Sequence, residues 1–245
     1  MRAGRILLGE ASLTTLGLVG RRPTGDSDDR VERAGPLSTY DVLVSDDLDQ
    51  PEVQVEAALE AGISCVLWDD GSTLERFHEP FASAGRTLLV GCNASLGLGT
   101  TLAAHEAAVV EESPGDTVLG IEVAWTEPGR PLRRGEAIAF PEPVGPRWAA
   151  ALEDSDSQQR FVAPISGDWA GAVARVTVGS PHGVNIRILG VADLASHLEG
   201  LALAAGAVAI DEYAYGLTTP EARAEHYLAA ALNAGLDVAS YTTTL

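Results

Sequence analysis

The chain has 245 residues, of which 46% are apolar and 21% charged, and its formal net charge at pH 7 is −19. This composition supports one large or two modest hydrophobic cores, and the acidity argues against nucleic acid or an anionic membrane as a partner. All sixteen basic residues are arginine, which excludes a Schiff-base lysine, a phosphate-binding lysine and a lysine general acid.

The N-terminal stretch lacks room for the first helix of a nucleotide-binding fold. Two short apolar runs, residues 5–8 and 16–19, are predicted strands, and only residues 9–15 separate them. A crossover between parallel strands needs roughly ten to twelve residues or more, so this helix is expected to be missing. The glycine-rich turn that holds a pyrophosphate is expected to be missing with it, because Gly9 is followed by Glu10.

An arginine pair follows the second apolar run. Arg21 and Arg22 stand where related folds bind the 2′-phosphate of NADP, which makes them candidate cofactor ligands. A surface turn leading into Pro23 is the competing interpretation, because nothing nearby forms a pyrophosphate site.

The middle of the N-terminal half alternates between predicted strands and helices. The strands are residues 40–45, 64–68 and 87–90, and the helices are residues 51–60, 73–84 and 100–112. Pro51 lies in the first turn of one helix and Gly62 lies just past its end, while Pro80 is expected to break the next helix. This alternation predicts a parallel sheet covered by helices.

From residue 116 the pattern changes to strands that mostly lack helices between them. The strand candidates are residues 117–125, 137–140, 161–164, 170–178 and 184–191, followed by helices at 193–208 and 220–234. Asp193 is expected to cap the first of these helices, and Ser180-Pro181-His182-Gly183 predicts a hairpin turn.

We therefore predict an α/β fold of two domains. Residues 1–114 form a truncated Rossmann-like domain with a parallel sheet, and residues 115–210 form an α+β domain with a mostly antiparallel sheet. Residues 211–245 are expected to form a C-terminal helix that packs back on the N-terminal domain.

Several short motifs follow the strands of residues 40–102. Residues 41–45 (Asp-Val-Leu-Val-Ser) precede a helix that starts at Pro51-Glu52, and Trp68-Asp69-Asp70-Gly71 and Asn93-Ala94-Ser95-Leu96-Gly97-Leu98 come later. At this spacing the segment resembles the second half of the nucleotide-binding domain of dihydrodipicolinate reductases. That family has a Gly-Thr-Thr-Gly turn near the nicotinamide and an Asn-Phe-Ser-x-Gly-x motif at the last two places. Residues 169–206 are similar to the family more loosely.

The resemblance implies a nicotinamide site formed by Asp70, Gly71, Asn93, Ser95 and Gly97. The Asn93 loop leaves a strand at the carboxyl edge of the sheet, where open α/β folds place ligands, and its side chains can bond a carboxamide. Alternatively, Asn93 and Ser95 satisfy the loop backbone and cap the next helix. The acidic pair that ends in Asp70 replaces neutral hydroxyls beside an anionic cofactor, which electrostatics disfavours.

The family's proton donor and substrate cradle are not found in this sequence. The family carries a His pair and a Lys-Asp-Ala-Pro-Ser-Gly-Thr stretch there, whereas residues 125–129 read Trp-Thr-Glu-Pro-Gly. Arg130, Arg133 and Arg134 follow and can contact a substrate carboxylate, with a solvated polar turn as the alternative. Catalytic residues therefore stay unknown.

Histidine and cysteine offer no further chemistry. Cys65 and Cys92 border apolar runs and are predicted to be buried thiols, with no disulfide or metal pair. The five histidines have no metal-ligand spacing and form no recognisable triad. No metal site is predicted.

Two functions are consistent with these features. The first is a reductase-like protein that has lost its activity and serves as a binding or assembly protein for a small metabolite, with no cofactor or weak NAD(P) binding. A homo-oligomer through the C-terminal sheet is expected, on the face that bears Val184, Ile186 and Ile188. The alternative is an NAD(P)-dependent reductase that acts on an unidentified small carboxylate.

The cellular setting follows from what the sequence lacks. It has no apolar stretch of roughly eighteen residues, and Glu10 comes too soon after Arg2 and Arg5 for a signal peptide. We expect a cytoplasmic protein with no membrane or nucleic-acid partner.

Overall fold

The computed structural model describes residues 2–7, 9, 13, 15–18, 29–46, 49–152 and 158–244. In chain order, the helices are α1 (Arg2–Leu7), α2 (Pro51–Ala61), α3 (His78–Ser83), α4 (Leu96–Glu111), α5 (Ala195–Ala209) and α6 (Ala224–Asn233). The strands are β1 (Leu16–Leu18), β2 (Val31–Arg33), β3 (Val42–Ser45), β4 (Ser64–Leu67), β5 (Thr87–Leu89), β6 (Thr117–Pro128), β7 (Glu136–Ala139), β8 (Pro146–Leu152), β9 (Gln159–Ile165), β10 (Trp169–Ser180), β11 (Gly183–Leu194), β12 (Gly216–Thr218) and β13 (Ala239–Thr244).

The chain divides into two compact units. Unit 1 consists of Met1–Cys92 and Glu199–Ala234, and unit 2 consists of Asn93–Leu198 and Gly235–Leu245. The division falls after residue 92, whereas the sequence pattern placed a boundary after residue 114. The C-terminal segment contributes to both units, because α6 belongs to unit 1 and β13 to unit 2.

Unit 1 contains a parallel sheet of four strands in the order β12-β5-β4-β3. All four residues of β4 are buried, as expected for an inner strand covered on both faces. Helix α2 starts with Pro51 and ends at Gly62, whose φ is 69°; this left-handed conformation suits glycine. Val55 and Ala58 of α2 pack with Cys65 of β4 in the core, which confirms the predicted α/β architecture.

The start of unit 1 differs from the sequence-based expectation. The apolar run at residues 5–8 was predicted to be a strand, but residues 2–7 form helix α1. Arg, Ala and Leu are strong helix formers, and Gly9 N–H closes the end of the helix by donating to the Ile6 carbonyl at 2.9 Å. Strand β1 pairs in parallel with β2. Most of the connection at residues 9–15 lies outside the described residues.

Unit 2 is built on a mixed sheet of seven strands in the order β13-β11-β10-β6-β9-β8-β7. Five neighbouring pairs are antiparallel and β6–β9 is parallel, which confirms a mostly antiparallel sheet. The predicted hairpin turn joins β10 to β11, with Ser180 paired to Gly183. Asp193 was expected to cap a helix, but it lies in β11, and α5 begins two residues later.

Helix α4 packs on one face of this sheet, and a second core lies on the other face. A Cβ added at Gly99 of α4 would lie 2.6 Å from Val123 Cγ1 and 3.7 Å from Ala172 Cβ. The second core includes Ala124, Phe161 and Val173. Unit 2 is therefore a sheet with apolar packing on both faces.

Candidate functional site

The Asn93 loop opens helix α4 of unit 2. Asn93 is only 5% exposed, and its Oδ1 accepts hydrogen bonds from Gly97 N–H at 2.8 Å and from Ser95 Oγ at 3.0 Å. The first N–H groups of a helix have no partner inside the helix, so this oxygen acts as a capping acceptor. The geometry of these three residues therefore supports the alternative interpretation, in which Asn93 and Ser95 satisfy the loop and cap the helix.

The first turn of α4 is packed and internally satisfied. Residues 97–103 are buried, and the hydroxyl groups of Thr100 and Thr101 both donate to the Gly97 carbonyl, at 3.1 and 2.7 Å. The missing Cβ at Gly99 lets α4 approach β6. The glycines of this motif thus serve close packing between helix and sheet.

The Asp69–Ser72 turn lies in unit 1. Asp69 Oδ1 accepts from Gly71 N–H at 2.8 Å, and Asp70 Oδ1 accepts from Ser72 N–H at 2.9 Å. Gly71 has φ 80°, and a Cβ there would lie 2.5 Å from Val90 Cγ2. Glycine is required for the backbone path, and the two carboxylates bind N–H groups of the kind that hold phosphate in other turns.

The sequence-predicted arginines fall into two groups. Arg21 and Arg22 lie outside the described residues. Arg130, Arg133 and Arg134 are exposed in the loop between β6 and β7 of unit 2. The candidate cofactor and substrate residues that the structure describes are thus spread over two loops of unit 2 and one turn of unit 1.

A pocket of about 300 Å³ lies beside this arginine loop. Its lining includes Pro131 and Leu132 of the loop, Arg147 and Trp148 of β8, and Pro164 of β9. Gly129 N–H donates to the Ile165 carbonyl at 3.0 Å, which ties the start of the loop to β9. The sequence analysis did not identify Arg147 and Trp148. The Pro146-Arg147-Trp148 run, which lies beside a second proline-rich stretch, could have indicated them.

Two of the described histidines hold neighbouring segments. His78 Nδ1 accepts from Leu217 N–H at 3.2 Å in unit 1, and His197 Nδ1 lies 2.5 Å from Asp193 Oδ2 in unit 2. The i,i+4 spacing of the second pair at a strand–helix junction was visible in the sequence. Among the described residues, no group of three or more His, Cys, Asp or Glu side chains is placed to hold a metal ion.

The two thiols are deeply buried in unit 1. Burial raises the pKa of Cys65 to about 12, and burial also raises the pKa of Cys92 strongly, against a small opposing effect of its hydrogen bond with Tyr227. Neither thiol is a thiolate at neutral pH, so neither has nucleophilic or metal-binding character.

The fold places the chain in the α/β class, with a Rossmann-like parallel sheet in one unit and a mixed sheet in the other. A solved structure with a similar fold is apo histidine-tagged saccharopine dehydrogenase (L-Glu forming) from Saccharomyces cerevisiae. The TM-score is 0.58, and the match covers 88% of this chain and 89% of that chain at 8% sequence identity. At this identity the similarity concerns the fold alone.

No family model matches the sequence, and no curated protein matches it either. The resemblance to dihydrodipicolinate reductases therefore stays a prediction. Among the described residues, no helix has the length and apolar character needed to cross a membrane.

Proposed function

We propose that this chain is a binding or assembly protein that keeps a dehydrogenase-like scaffold without reductase chemistry. One observation carries the proposal: Asn93, a residue that the resemblance assigns to the cofactor site, is buried, and its amide oxygen accepts hydrogen bonds from Gly97 and Ser95. A carboxamide ligand would have to displace both bonds. Each buried group left unpaired costs about 1–3 kcal/mol, so cofactor binding through this oxygen is disfavoured.

The Asp69–Ser72 turn supports the same proposal. Its two carboxylates bind the Gly71 and Ser72 N–H groups, in the place where the family has neutral hydroxyls. Like charges 4 Å apart repel by about 4 kcal/mol at the effective dielectric constant of a protein surface. The turn is therefore unsuited to a dinucleotide.

The proton donor is the third missing element. The family's His pair and lysine have no counterpart at residues 125–134, and a guanidinium does not release a proton at neutral pH. Of the segments that the structure describes, the Asn93 loop, the Asp69–Ser72 turn and residues 125–134 thus lack residues suited to cofactor amide contact, phosphate contact and proton donation, respectively.

Assembly through the sheet of unit 2 remains part of the proposal. Val184, Ile186 and Ile188 alternate along β11, so they share one face, and each is only partly buried. Ile188 packs against the second core, so Val184 and Ile186 are the residues offered to a partner. Arg175, which is paired in register with Ile188, forms ion pairs with Glu122 at 2.8 Å and Glu136 at 2.7 Å. One guanidinium therefore offsets part of the charge of the two carboxylates on this face, which lowers the electrostatic cost of contact with a second copy of the chain.

Cofactor titration tests the loss of reductase chemistry. We expect no thermal shift of the full chain with 1 mM NADH or NADPH, whereas a ligand at about 100 times its Kd would stabilise the fold by about 2.7 kcal/mol. Binding at micromolar concentration, or hydride transfer to any carboxylate substrate, would overturn the proposal.

The alternative function is an NAD(P)-dependent reductase that acts on a small carboxylate. The fold similarity to the yeast saccharopine dehydrogenase over 88% of the chain favours it. If this alternative is correct, Asn93→Ala should reduce the free energy of NADPH binding by more than it reduces the free energy of unfolding. Sedimentation of the same samples measures the oligomeric state independently of the cofactor.

A further inference from the structure

We propose that the pocket beside the arginine loop of unit 2 binds a small planar anion: a compound with one flat ring and two or more negative charges. This inference rests on the proposed binding function and names the class of metabolite. The pocket lies wholly within unit 2, and its lining combines Arg147, Trp148 and three prolines with Leu132.

The charge around the pocket is opposite to that of the chain. Residues 127–150 contain four arginines and three glutamates, although the whole chain carries 35 acidic against 16 basic residues. Arg130, Arg133 and Arg134 flank the lining residues Pro131 and Leu132 in sequence. None of the described residues that line the pocket is acidic, so the local field favours an anion.

Two of the three nearby carboxylates are already engaged. Glu127, the register partner of Pro164, accepts a hydrogen bond from Trp125 Nε1 at 2.9 Å. Glu136 Oε1 lies 2.7 Å from Arg175 Nη1, and this ion pair partly cancels its charge. Arg147 donates from Nη1 to the Pro146 carbonyl at 3.0 Å, which uses one of its five N–H donors. A guanidinium suits a carboxylate or phosphate, which it can bind with two parallel hydrogen bonds.

Trp148 supplies the flat surface that a ring requires. Its side chain is 51% exposed, and its partner across the β7–β8 pair is the small residue Ala137, which covers little of the indole. Pro131, Pro146 and Pro164 form rigid parts of the wall, because the proline ring fixes the backbone angle φ. A wall that is ordered before binding lowers the entropic cost of holding a ligand.

The volume sets the size of the ligand. About 300 Å³ is the lower end of the range for small-molecule sites, which suits a single ring with two carboxylates or a mononucleotide in part. Carboxylate and phosphate ligands share this chemistry, so the test must include both.

Calorimetric titration of the full chain tests the inference with three probes at 50 mM NaCl. The probes are benzene-1,3-dicarboxylate, AMP and the uncharged 1,3-benzenedimethanol. We expect binding of at least one anion and none of the alcohol, with affinity that falls at least fivefold at 500 mM NaCl because salt screens surface charges. Tighter binding of benzene-1,3-dicarboxylate identifies a carboxylate ligand, and tighter binding of AMP identifies a phosphate.

Matched variants locate the binding. Trp148→Ala and Arg147→Ala, which change residues of the lining, should each weaken binding at least tenfold, and the double variant Arg133→Ala/Arg134→Ala, which removes flanking charge, should weaken it by a smaller factor. Trp169→Ala and Arg86→Ala are the controls, because Trp169 is a 39% exposed tryptophan outside the pocket and Arg86 is an exposed arginine of unit 1. The controls should change affinity by less than twofold. Arg133 and Arg134 are exposed, so their removal leaves folding intact.

The outcomes separate this inference from the proposed function. Failure of both anions to bind, or binding that is equally strong in the pocket variants, overturns the pocket and leaves the loss of reductase chemistry standing. Micromolar NADPH binding that Asn93→Ala weakens and Trp148→Ala does not would overturn the proposed function while leaving the pocket intact.

Discussion

Gly71 lets the backbone of unit 1 turn against Val90. Its φ is 80°, and an added Cβ would lie 2.5 Å from Val90 Cγ2. We expect Gly71→Ala to lower the free energy of unfolding by about 2–4 kcal/mol, because left-handed strain and a steric clash add. Gly62→Ala has similar strain with open space around it, and should cost only about 1 kcal/mol.

Urea unfolding in a Val90→Ala background isolates the clash. There the cost of Gly71→Ala should fall toward that of Gly62→Ala but stay above it, because Cβ of residue 90 still lies 3.0 Å from the added Cβ. Equal costs with and without Val90 would show that backbone strain alone explains the glycine.

Asn93 caps helix α4 through its side-chain oxygen. Removing that acceptor in Asn93→Ala should destabilise the protein by about 1–2 kcal/mol in urea unfolding. Asn93→Asp keeps an acceptor, and the helix N-terminus offsets part of the cost of burying its negative charge, so it should retain more stability than the alanine variant. Equal losses in the two variants would contradict the capping role.

At the scale of elements, helix α4 depends on a glycine that helix propensity disfavours. Replacing glycine by alanine inside a helix normally gains about 1 kcal/mol. At Gly99 the new methyl group would lie 2.6 Å from Val123 Cγ1, and overpacking costs about 1–3 kcal/mol. We expect a net loss of about 1–2 kcal/mol, measured by urea unfolding with circular dichroism, and a gain in a Val123→Ala background. A gain in the unchanged background would show that α4 can shift away from β6.

Some elements were predictable because proline and glycine mark their ends. Pro51 and Gly62 bound helix α2 within one residue of the predicted range, since proline starts a helix and glycine ends it. The turn at Ser180–Gly183 fixed the register of the β10–β11 hairpin. These signals are local, so the sequence contains them directly.

Other elements depend on pairing with distant residues. β13 reads Ala-Ser-Tyr-Thr-Thr-Thr, which has no apolar alternation, and it forms by adding to β11. The run at residues 5–8 was too short to separate helix from strand by its periodicity. The parallel β6–β9 pair likewise joins segments more than thirty residues apart.

The candidate pocket could be predicted only in part for the same reason. Arg130, Arg133 and Arg134 were visible as a cluster in the sequence. Arg147 and Trp148 join them only because β8 pairs with β7 and β9, which brings the ends of these strands to one place. The sequence alone identifies the arginine cluster beside the pocket, whereas the strand pairing of the sheet is needed to identify its aromatic surface.

At the scale of the whole molecule, unit 1 contains buried thiol and phenol groups that can lose a proton. Burial raises the pKa of Cys65 to about 12, from a reference of 9.0. Burial also raises the pKa values of Cys92, Tyr213 and Tyr227. In the unfolded chain these groups lose their protons near pH 9 for the thiols and near pH 10 for the phenols, while the folded chain keeps them.

The unfolded state therefore binds fewer protons above pH 9, and the free energy of unfolding must fall as the pH rises. Each group that is ionised only when unfolded contributes about 1.4 kcal/mol per pH unit. The variant Cys65→Ala/Cys92→Ala removes two such groups, so urea unfolding between pH 10 and 11 should show a slope smaller by about 2–3 kcal/mol per pH unit. Val66→Ala, which is equally buried and has no proton to lose, should lower stability at every pH with the original slope. An unchanged slope in the cysteine variant would mean that the thiols of the folded chain reach solvent and ionise as freely as those of the unfolded chain.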